Sequence, residues 1–371
     1  MTPVRIVGWG KHLPSKVVTN DDLSLVVDTS DEWIRTRTGI QARRIAQDDE
    51  SASSLGAEAA RRALERAAVA PAEVDLIICA TATPDRIFPA TASLIQHAIG
   101  ASRAAAFDLS AACSGFVYAF VTAAQFIASG AYRTVLVVGS EIYSRILDWS
   151  DRNTCVLFGD GAGAMVLQAG DGEEDVLGFT LRSDGSGAEL LYVPCATGIK
   201  AFQPADGRPA LKMQGGEVFK FAVQAIVEST NTVAASAGIG LADIDVIVAH
   251  QANERILRAA AKQLGLPLRK FYQNLQRYGN TSAASIPIAF TEAIEEGKVR
   301  AGDKVMFVGF GGGLAWGAVL VRFGVRPAVR RSFPAAVWQK AQEVGRRLPL
   351  PLRGPVPTNA GGSREPPASG Q

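Results

Sequence analysis

The sequence predicts an α/β protein of two similar halves, each a mixed sheet flanked by helices, stacked as a layered α/β/α/β/α body. Three observations carry this. Short β-branched runs alternate with alanine-rich helical stretches. Two of the runs recur at one offset of 170 residues: Glu73-Val74-Asp75-Leu76-Ile77-Ile78 aligns with Asp243-Ile244-Asp245-Val246-Ile247-Val248, and Arg133-Thr134-Val135-Leu136-Val137-Val138-Gly139 aligns with Asp303-Lys304-Val305-Met306-Phe307-Val308-Gly309. The 37 glycines fit many tight strand-to-helix turns.

Each matched run is bounded by Gly, Asp or Lys and is apolar throughout, as expected of a central strand buried on both faces. Between the runs, residues 53–68 and 218–237 carry apolar residues at three- and four-residue spacing, the pattern of core-facing helices. The organisation expected is an N-terminal half over residues 1–172, a C-terminal half over 173–324 and a tail over 325–371. Pseudosymmetry of this kind predicts that loops at equivalent strand ends converge on one central cleft.

The tail differs in composition. It holds eight Lys/Arg against two Asp/Glu and eight of the eighteen prolines, so it contributes a net charge of about +6, whereas the first 324 residues sum to about −4. It reads as a solvated, mostly disordered appendage. Val337, Trp338, Ala341 and Val344 fall at helical spacing among Lys340, Arg346 and Arg347, which leaves open a short basic amphipathic helix that touches a partner or an anionic surface.

Composition also excludes function classes. The chain is 47% hydrophobic and 20% charged, and no apolar run reaches the roughly 18 residues of a spanning helix, so no stable membrane insertion is expected. The N-terminus lacks a signal-peptide layout, which gives a cytoplasmic expectation. The body has no extended basic stripe with interleaved aromatics, so nucleic acid is not an expected partner. Cys79, Cys113, Cys155 and Cys195 form no CxxC pair and three histidines are scattered, so no metal site is expected.

Chemistry concentrates at three places. Residues 105–115 run as a strand into Ala112-Cys113-Ser114-Gly115 and then the helical stretch 116–129, which sets Cys113 at a strand-to-helix turn. Free N–H groups and the helix dipole there are expected to lower the thiol pKa from about 8.5 toward neutrality. A buried, inert cysteine is the competing reading. In the second half the strand 244–249 runs directly into His250-Gln251-Ala252-Asn253, and Gly279-Asn280-Thr281-Ser282-Ala283-Ala284-Ser285 lies at the same offset of 170 from the cysteine turn. Cys113, His250 and Asn280 should then face one cleft. Gly309-Phe310-Gly311-Gly312-Gly313 follows a matched strand and would let backbone N–H groups approach a ligand, as an oxyanion hole requires. The similar Phe158-Gly159-Asp160-Gly161-Ala162-Gly163 reads as a tight turn of the core.

Taken with Thr29-Ser30-Asp31-Glu32-Trp33-Ile34 and Arg37-Thr38-Gly39-Ile40, these segments over residues 3–324 resemble β-ketoacyl-acyl-carrier-protein synthase III, the initiating condensing enzyme of bacterial fatty-acid synthesis, and so imply the duplicated thiolase-like fold. The resemblance implies a catalytic triad of Cys113, His250 and Asn280, with the N–H groups of Cys113 and Gly312 as oxyanion hole. It implies a CoA tunnel lined by Trp33, Arg37, Arg152, Asn253 and Phe219, and an acyl pocket closed by Phe88 from the partner subunit of a homodimer. Its partners would be an acyl-CoA primer and a malonyl-acyl-carrier protein, with no cofactor beyond CoA thioesters as substrates. Arg255, Arg258 and Lys262, spaced i, i+3, i+7, would dock the acidic carrier, with generic solvated charge an equal contender.

Relatives within the same superfamily are separated by single residues. A hydroxymethylglutaryl-CoA synthase would need a Glu before the cysteine, and none lies between Glu73 and Glu141. Elongating synthases would place a second His at Asn280, and degradative thiolases a second Cys near the glycine loop. The remaining alternatives are a synthase-III-like enzyme of secondary metabolism using a different acyl donor or acceptor, and a catalytically silent homologue.

Overall fold

The computed structural model describes residues 2–171, 175–194 and 210–324. Cys195 and the whole 325–371 tail, including its candidate basic helix, lie outside the described residues.

The first half opens with β1 (Val4–His12), a small ribbon of β2 (Val17–Thr19) and β3 (Ala42–Arg44), and between them α1 (Asn20–Ser24) and α2 (Asp31–Thr38). Then come α3 (Ala52–Ala67), β4 (Leu76–Ala80), α4 (Thr91–Ile99), β5 (Ala105–Leu109), α5 (Gly115–Ala128), β6 (Thr134–Ile142) and β7 (Asp160–Ala169). Their sheet runs β1-β7-β6-β4-β5, with β4, β5 and β6 parallel and β1 and β7 antiparallel additions.

The second half contributes β8 (Val176–Ser183), the short pair β9 (Leu191–Tyr192) and β10 (Lys212–Met213), α6 (Gly215–Ser236), β11 (Val246–Ala249), α7 (Glu254–Gln263), α8 (Leu275–Tyr278), α9 (Ser285–Glu295), β12 (Lys304–Gly311) and β13 (Ala315–Arg322). Its sheet runs β11-β12-β13-β8, with β11 and β12 a parallel pair at one edge and β13 and β8 added antiparallel. A single parallel bridge from Ile247 to Phe271 stands where the first half has β5.

Strand alternation explains the layers. Val135 and Val137 of β6, and Val305 and Phe307 of β12, point to a shared core filled by Phe116, Phe120, Ile286 and Phe290 from α5 and α9. The alternate residues Leu136 and Val138 pack under Leu55, Ala59, Ile95 and Ile99 of α3 and α4. Met306 and Val308 do the same under Ile226, Val233 and Leu257 of α6 and α7. Central strands must be apolar on both faces to occupy this position, which is the continuous apolar run seen in the sequence. The result is α/β/α/β/α, the thiolase-like architecture.

The two halves interlock through their repeats. Gly139 of β6 lies under the 3-10 turn Ser282–Ala284 of the other half, where a Cβ would stand 2.5 Å from Ala283 O. Its counterpart Gly309 of β12 lies under the 3-10 turn Ala112–Ser114, where a Cβ would stand 3.0 Å from Ser114 Cα. Only glycine permits this approach. The turns also share a left-handed residue at matching positions, Ala112 at φ 44° and Ser282 at φ 49°.

The offset of 170 ends after β12. Residues 143–159 link β6 to β7, whereas 312–314 suffice between β12 and β13. The long link reaches into the second half, and its Phe158 bridges to Asn280. The segment 158–163 is therefore not a tight turn: from Asp160 it is the start of β7, and just before that its backbone clasps the asparagine turn.

Candidate active site

Cys113, His250 and Asn280 line one cleft of about 880 Å³, together with Trp33, Arg37, Phe219, Asn253, Arg255, Phe310 and Gly311 among others. The sequence expectation that Cys113, His250 and Asn280 face one cleft is met by these three side chains, which follow β5, β11 and α8 in the chain.

Cys113 sits in the 3-10 turn that opens α5, with 3% of its surface exposed. Its surroundings overturn the expectation of a lowered pKa. Burial pushes the thiol up to about 11, and the nearby Glu141 carboxylate pushes the same way, against smaller opposing hydrogen bonds from Ser282 and Tyr143. Desolvation of a thiolate here outweighs the favourable position at the helix start. The thiol of the unliganded protein is therefore neutral at neutral pH.

His250 follows β11 directly and is 1% exposed, edge-on to Phe310 with ring centroids 5.0 Å apart. Burial pulls its pKa down to about 3, so the ring is neutral at physiological pH. Its Nδ1 lies 2.6 Å from Ser285 Oγ, which also accepts the Gln251 backbone N–H at 3.4 Å. A Ser285 hydroxyl that donates to Nδ1 leaves the ring proton on Nε2, the tautomer that can donate into the cleft.

Asn280 is bracketed by backbone. Its N–H donates to Leu157 O at 2.8 Å and its carbonyl accepts from Gly159 N at 3.0 Å. The side-chain Oδ1 accepts from Ser282 N at 2.8 Å, so the amide's Nδ2 is the atom left to donate. Two neutral donors, a histidine N–H and an amide N–H, thus share one cleft with a thiol, and all three residues are buried. Such an arrangement stabilises negative charge on a carbonyl oxygen.

Gly311, rather than Gly312, borders the cleft and presses on the nucleophile: a Cβ there would lie 2.9 Å from both Cys113 Cβ and N. Gly312 is the next residue, backed by Leu191 O.

The tunnel residues group around α2. Ser30 caps that helix by accepting Trp33 N at 3.1 Å, and Gly39 ends it in a left-handed cap. One turn apart, Trp33 and Arg37 share a face, with the Arg37 guanidinium carbon 4.6 Å from the indole centroid. Arg152, on the long link, also lies over Trp33 at 5.3 Å and is held by Asp28 at 3.0 Å to its carbonyl and 3.1 Å to its carboxylate. Asn253 caps α7, accepting Arg255 N at 2.9 Å, and donates to Arg37 O at 3.1 Å, which ties α7 to α2. Phe219 lies beneath Arg255 at 5.8 Å.

Arg255, Arg258 and Lys262 are exposed on one side of α7, but Arg258 is already paired with Glu254 one turn earlier. Phe88 is 83% exposed and does not border this chain's cleft.

Sequence reasoning missed Tyr143, Ser282, Ser285, Phe310 and Glu141. Glu141 served only as the far bound of the stretch around the cysteine that holds no Glu. In the structure it is fully buried close behind Cys113.

Family models for 3-oxoacyl-[acyl-carrier-protein] synthase III match residues 107–185, and for its C-terminal part residues 231–323. A β-ketoacyl-[acyl-carrier-protein] synthase III from Clostridium acetobutylicum is 51% identical over 325 residues, 87% of this chain and 99% of that protein. The chain belongs to the β-ketoacyl-acyl-carrier-protein synthase III family. The crystal structure of the Aquifex aeolicus synthase III superposes with a TM-score of 0.81 at 48% identity, over 86% of this chain and all of that one. The priming β-ketosynthase of the R1128 polyketide pathway superposes at 0.82 with 38% identity, over 87% and 97%. Membership makes the chain an acyl-transferring condensing enzyme that initiates fatty-acid synthesis, and the higher identity to the fatty-acid synthases leaves the secondary-metabolism alternative unfavoured. No described helix is long and apolar enough to cross a membrane.

Proposed function

We infer that this cleft joins an acyl-CoA primer to a malonyl-acyl-carrier protein through an acyl group held on Cys113. The observation that supports the reading is the convergence of a thiol with two neutral donors in one cleft.

In the first half-reaction Cys113 Sγ bonds to the primer carbonyl and the carbonyl's bond to CoA sulfur breaks. The departing CoA thiolate takes up the equivalent of the proton that the thiol loses. N–H groups of Cys113 and Gly312 hold the tetrahedral oxygen. Trp33 receives the CoA adenine, with Arg152 on its other side, and Arg37, Asn253 and Phe219 line the approach. A planar guanidinium over an indole suits a purine clamp, since either surface stacks on an aromatic base.

In the second half-reaction the malonyl carboxylate leaves as CO2 and its bonding electrons form an enolate. His250 Nε2–H and Asn280 Nδ2–H donate to the enolate oxygen. The carbanion attacks the acyl-cysteine carbonyl, the carbon–sulfur bond breaks, a 3-oxoacyl carrier is released, and the cysteine thiolate takes up one proton from solvent to regain the resting thiol. A neutral histidine suits this role, because it donates without needing to be recharged between turnovers. No cofactor enters the scheme. The enzyme works in the cytoplasm as a homodimer, with exposed Phe88 closing the partner's acyl pocket and Arg255, Arg258 and Lys262 meeting the acidic carrier.

Intact-protein mass spectrometry after exposure to a panel of acyl-CoAs tests the scheme. One acyl mass should be retained on wild type and none on Cys113→Ala, and the loaded enzyme should convert malonyl carrier to 3-oxoacyl carrier. Light scattering on the same sample should give twice the 39.1 kDa chain mass. Acylation that persists in Cys113→Ala would overturn the assignment.

A further inference from the structure

We propose that Glu141 is the positioning residue of the decarboxylation step, holding the Ser282 turn so that the Asn280 amide presents Nδ2 to the enolate. The inference rests on the role given above to Asn280.

Glu141 ends the offset-170 alignment, and its mate is Gly311. Gly311 presses on the cysteine turn, and Glu141 presses on the asparagine turn. One half thus backs its turn with no side chain, and the other with a buried carboxylate. A buried charge costs several kcal/mol unless its lone pairs are met.

Here they are met entirely by donors. Oε2 accepts from Ala82 N at 3.0 Å, Thr83 Oγ1 at 2.6 Å and Thr81 Oγ1 at 3.3 Å. Oε1 accepts from Ser282 Oγ at 2.9 Å, and the Ala283 backbone also donates to the carboxylate. Thr83 Oγ1 is itself committed, since it accepts Ile142 N at 2.9 Å. Hydroxyls can rotate, but the two backbone N–H groups cannot. The surroundings therefore suit an acceptor-only group, and an amide would set its NH2 against one fixed donor.

The chain to the active site is short. Ser282 Oγ is held by Glu141, Ser282 occupies the left-handed conformation, and Ser282 N holds Asn280 Oδ1 at 2.8 Å. Loss of the carboxylate frees Ser282 to leave an unfavourable φ. The Asn280 amide then loses the contact that decides which of its ends faces the cleft.

Burial raises the Glu141 pKa to about 7. The titratable groups that face it are Cys79 from β4, Cys113 from its turn and Tyr143 after β6, each kept neutral by burial. Asp85 and Asp108 act on Cys79 from further out. No Lys or Arg pairs with Glu141 among the described residues. Protonation of this one group should thus give the decarboxylation rate an acid limb near neutrality.

The experiment separates the two half-reactions in full-length protein. Acylation is followed by intact mass with the acyl-CoA that loads Cys113, and decarboxylation by consumption of malonyl-CoA. Glu141→Gln should keep acylation within about threefold and lose decarboxylation by about 100-fold in kcat with little change in KM. Its residual rate should lack the acid limb. Ser282→Ala, which removes the tie but not the carboxylate, should lose decarboxylation in the same direction.

Wild-type decarboxylation with an unchanged limb in Glu141→Gln overturns the proposal, as does equal loss of both half-reactions in a folded variant. Should Glu141→Gln not fold, Ser282→Ala decides: selective loss of decarboxylation supports the proposal, and wild-type behaviour or equal loss of both half-reactions overturns it. Asn280→Ala distinguishes the failures. If it keeps decarboxylation, the mechanism above falls; if it loses decarboxylation while the other two variants do not, only the role of Glu141 falls.

Discussion

The turn that carries Cys113 and the turn that follows Asn280 share a backbone and differ in chemistry. Both are 3-10 turns with a left-handed residue, both open a buried helix, and both rest on a glycine of the opposite half's central strand. At the offset of 170, however, Cys113 is answered by Ala283, Asn280 by Ser110 and His250 by Ala80. Each reactive position faces a small, unreactive mate. Duplication supplied a scaffold that places two turns back to back, and division of labour between the halves gave one the thiol and the other the histidine and the asparagine.

Cys113→Ala gives the first turn the side chain of its mate and should have the largest effect. Condensation should fall by more than about 10³-fold, because no other group can carry the acyl chain. Malonyl-CoA decarboxylation should survive, since the donors are untouched. Loss of both activities in a folded variant would mean that the turns are not separable.

Gly139→Ala and Gly309→Ala probe the shared scaffold. Each adds a methyl against the opposite turn, so each should destabilise by about 2–3 kcal/mol in denaturant unfolding. Gly139 should cost more, because its obstacle is a carbonyl oxygen at 2.5 Å against 3.0 Å to a Cα for Gly309. A neutral result at either position would show that the interlock is looser than the geometry implies.

The smallest effect concerns the buried imidazole and its mate Ala80. The folded pKa of His250 is about 3, below the ordinary 6.5 of an unfolded chain. Between these values the unfolded state binds a proton that the folded state refuses, so stability falls as pH falls below 6.5. From pH 6.5 to 5 the loss from this group should be about 1.5 kcal/mol. His250→Gln should have a correspondingly shallower decline in melting temperature over that range; an unchanged slope would show that His250 titrates freely in the folded protein.

How much of this was legible in the sequence depends on distance along the chain. The central strands were readable because burial on both faces forces continuous apolar runs, and the repeat fixed their pairing. Cys113 and His250 were readable because each follows a strand, and Asn280 because it lies in the segment at the repeat's offset from the cysteine turn. The pKa of Cys113 was not, because helix placement is a local property and desolvation is set by everything packed above it. Glu141 was invisible for a related reason. It continues a strand, and nothing near it announces that its acceptors will be claimed by Thr81, Thr83 and Ser282 from two other segments. The 158–163 segment was misread because its glycines signal a turn equally well when they signal close passage of another backbone.

The raised pKa of Cys113 also bears on how the enzyme survives an oxidising moment. Peroxides and alkylating agents attack thiolates, and their rates follow thiolate fraction and exposure. A sulfur that is 3% exposed and still protonated at neutral pH offers little of either. In the proposed scheme reactivity appears when a thioester carbonyl is delivered against the sulfur, so the same burial that slows ionisation shields the thiol between turnovers.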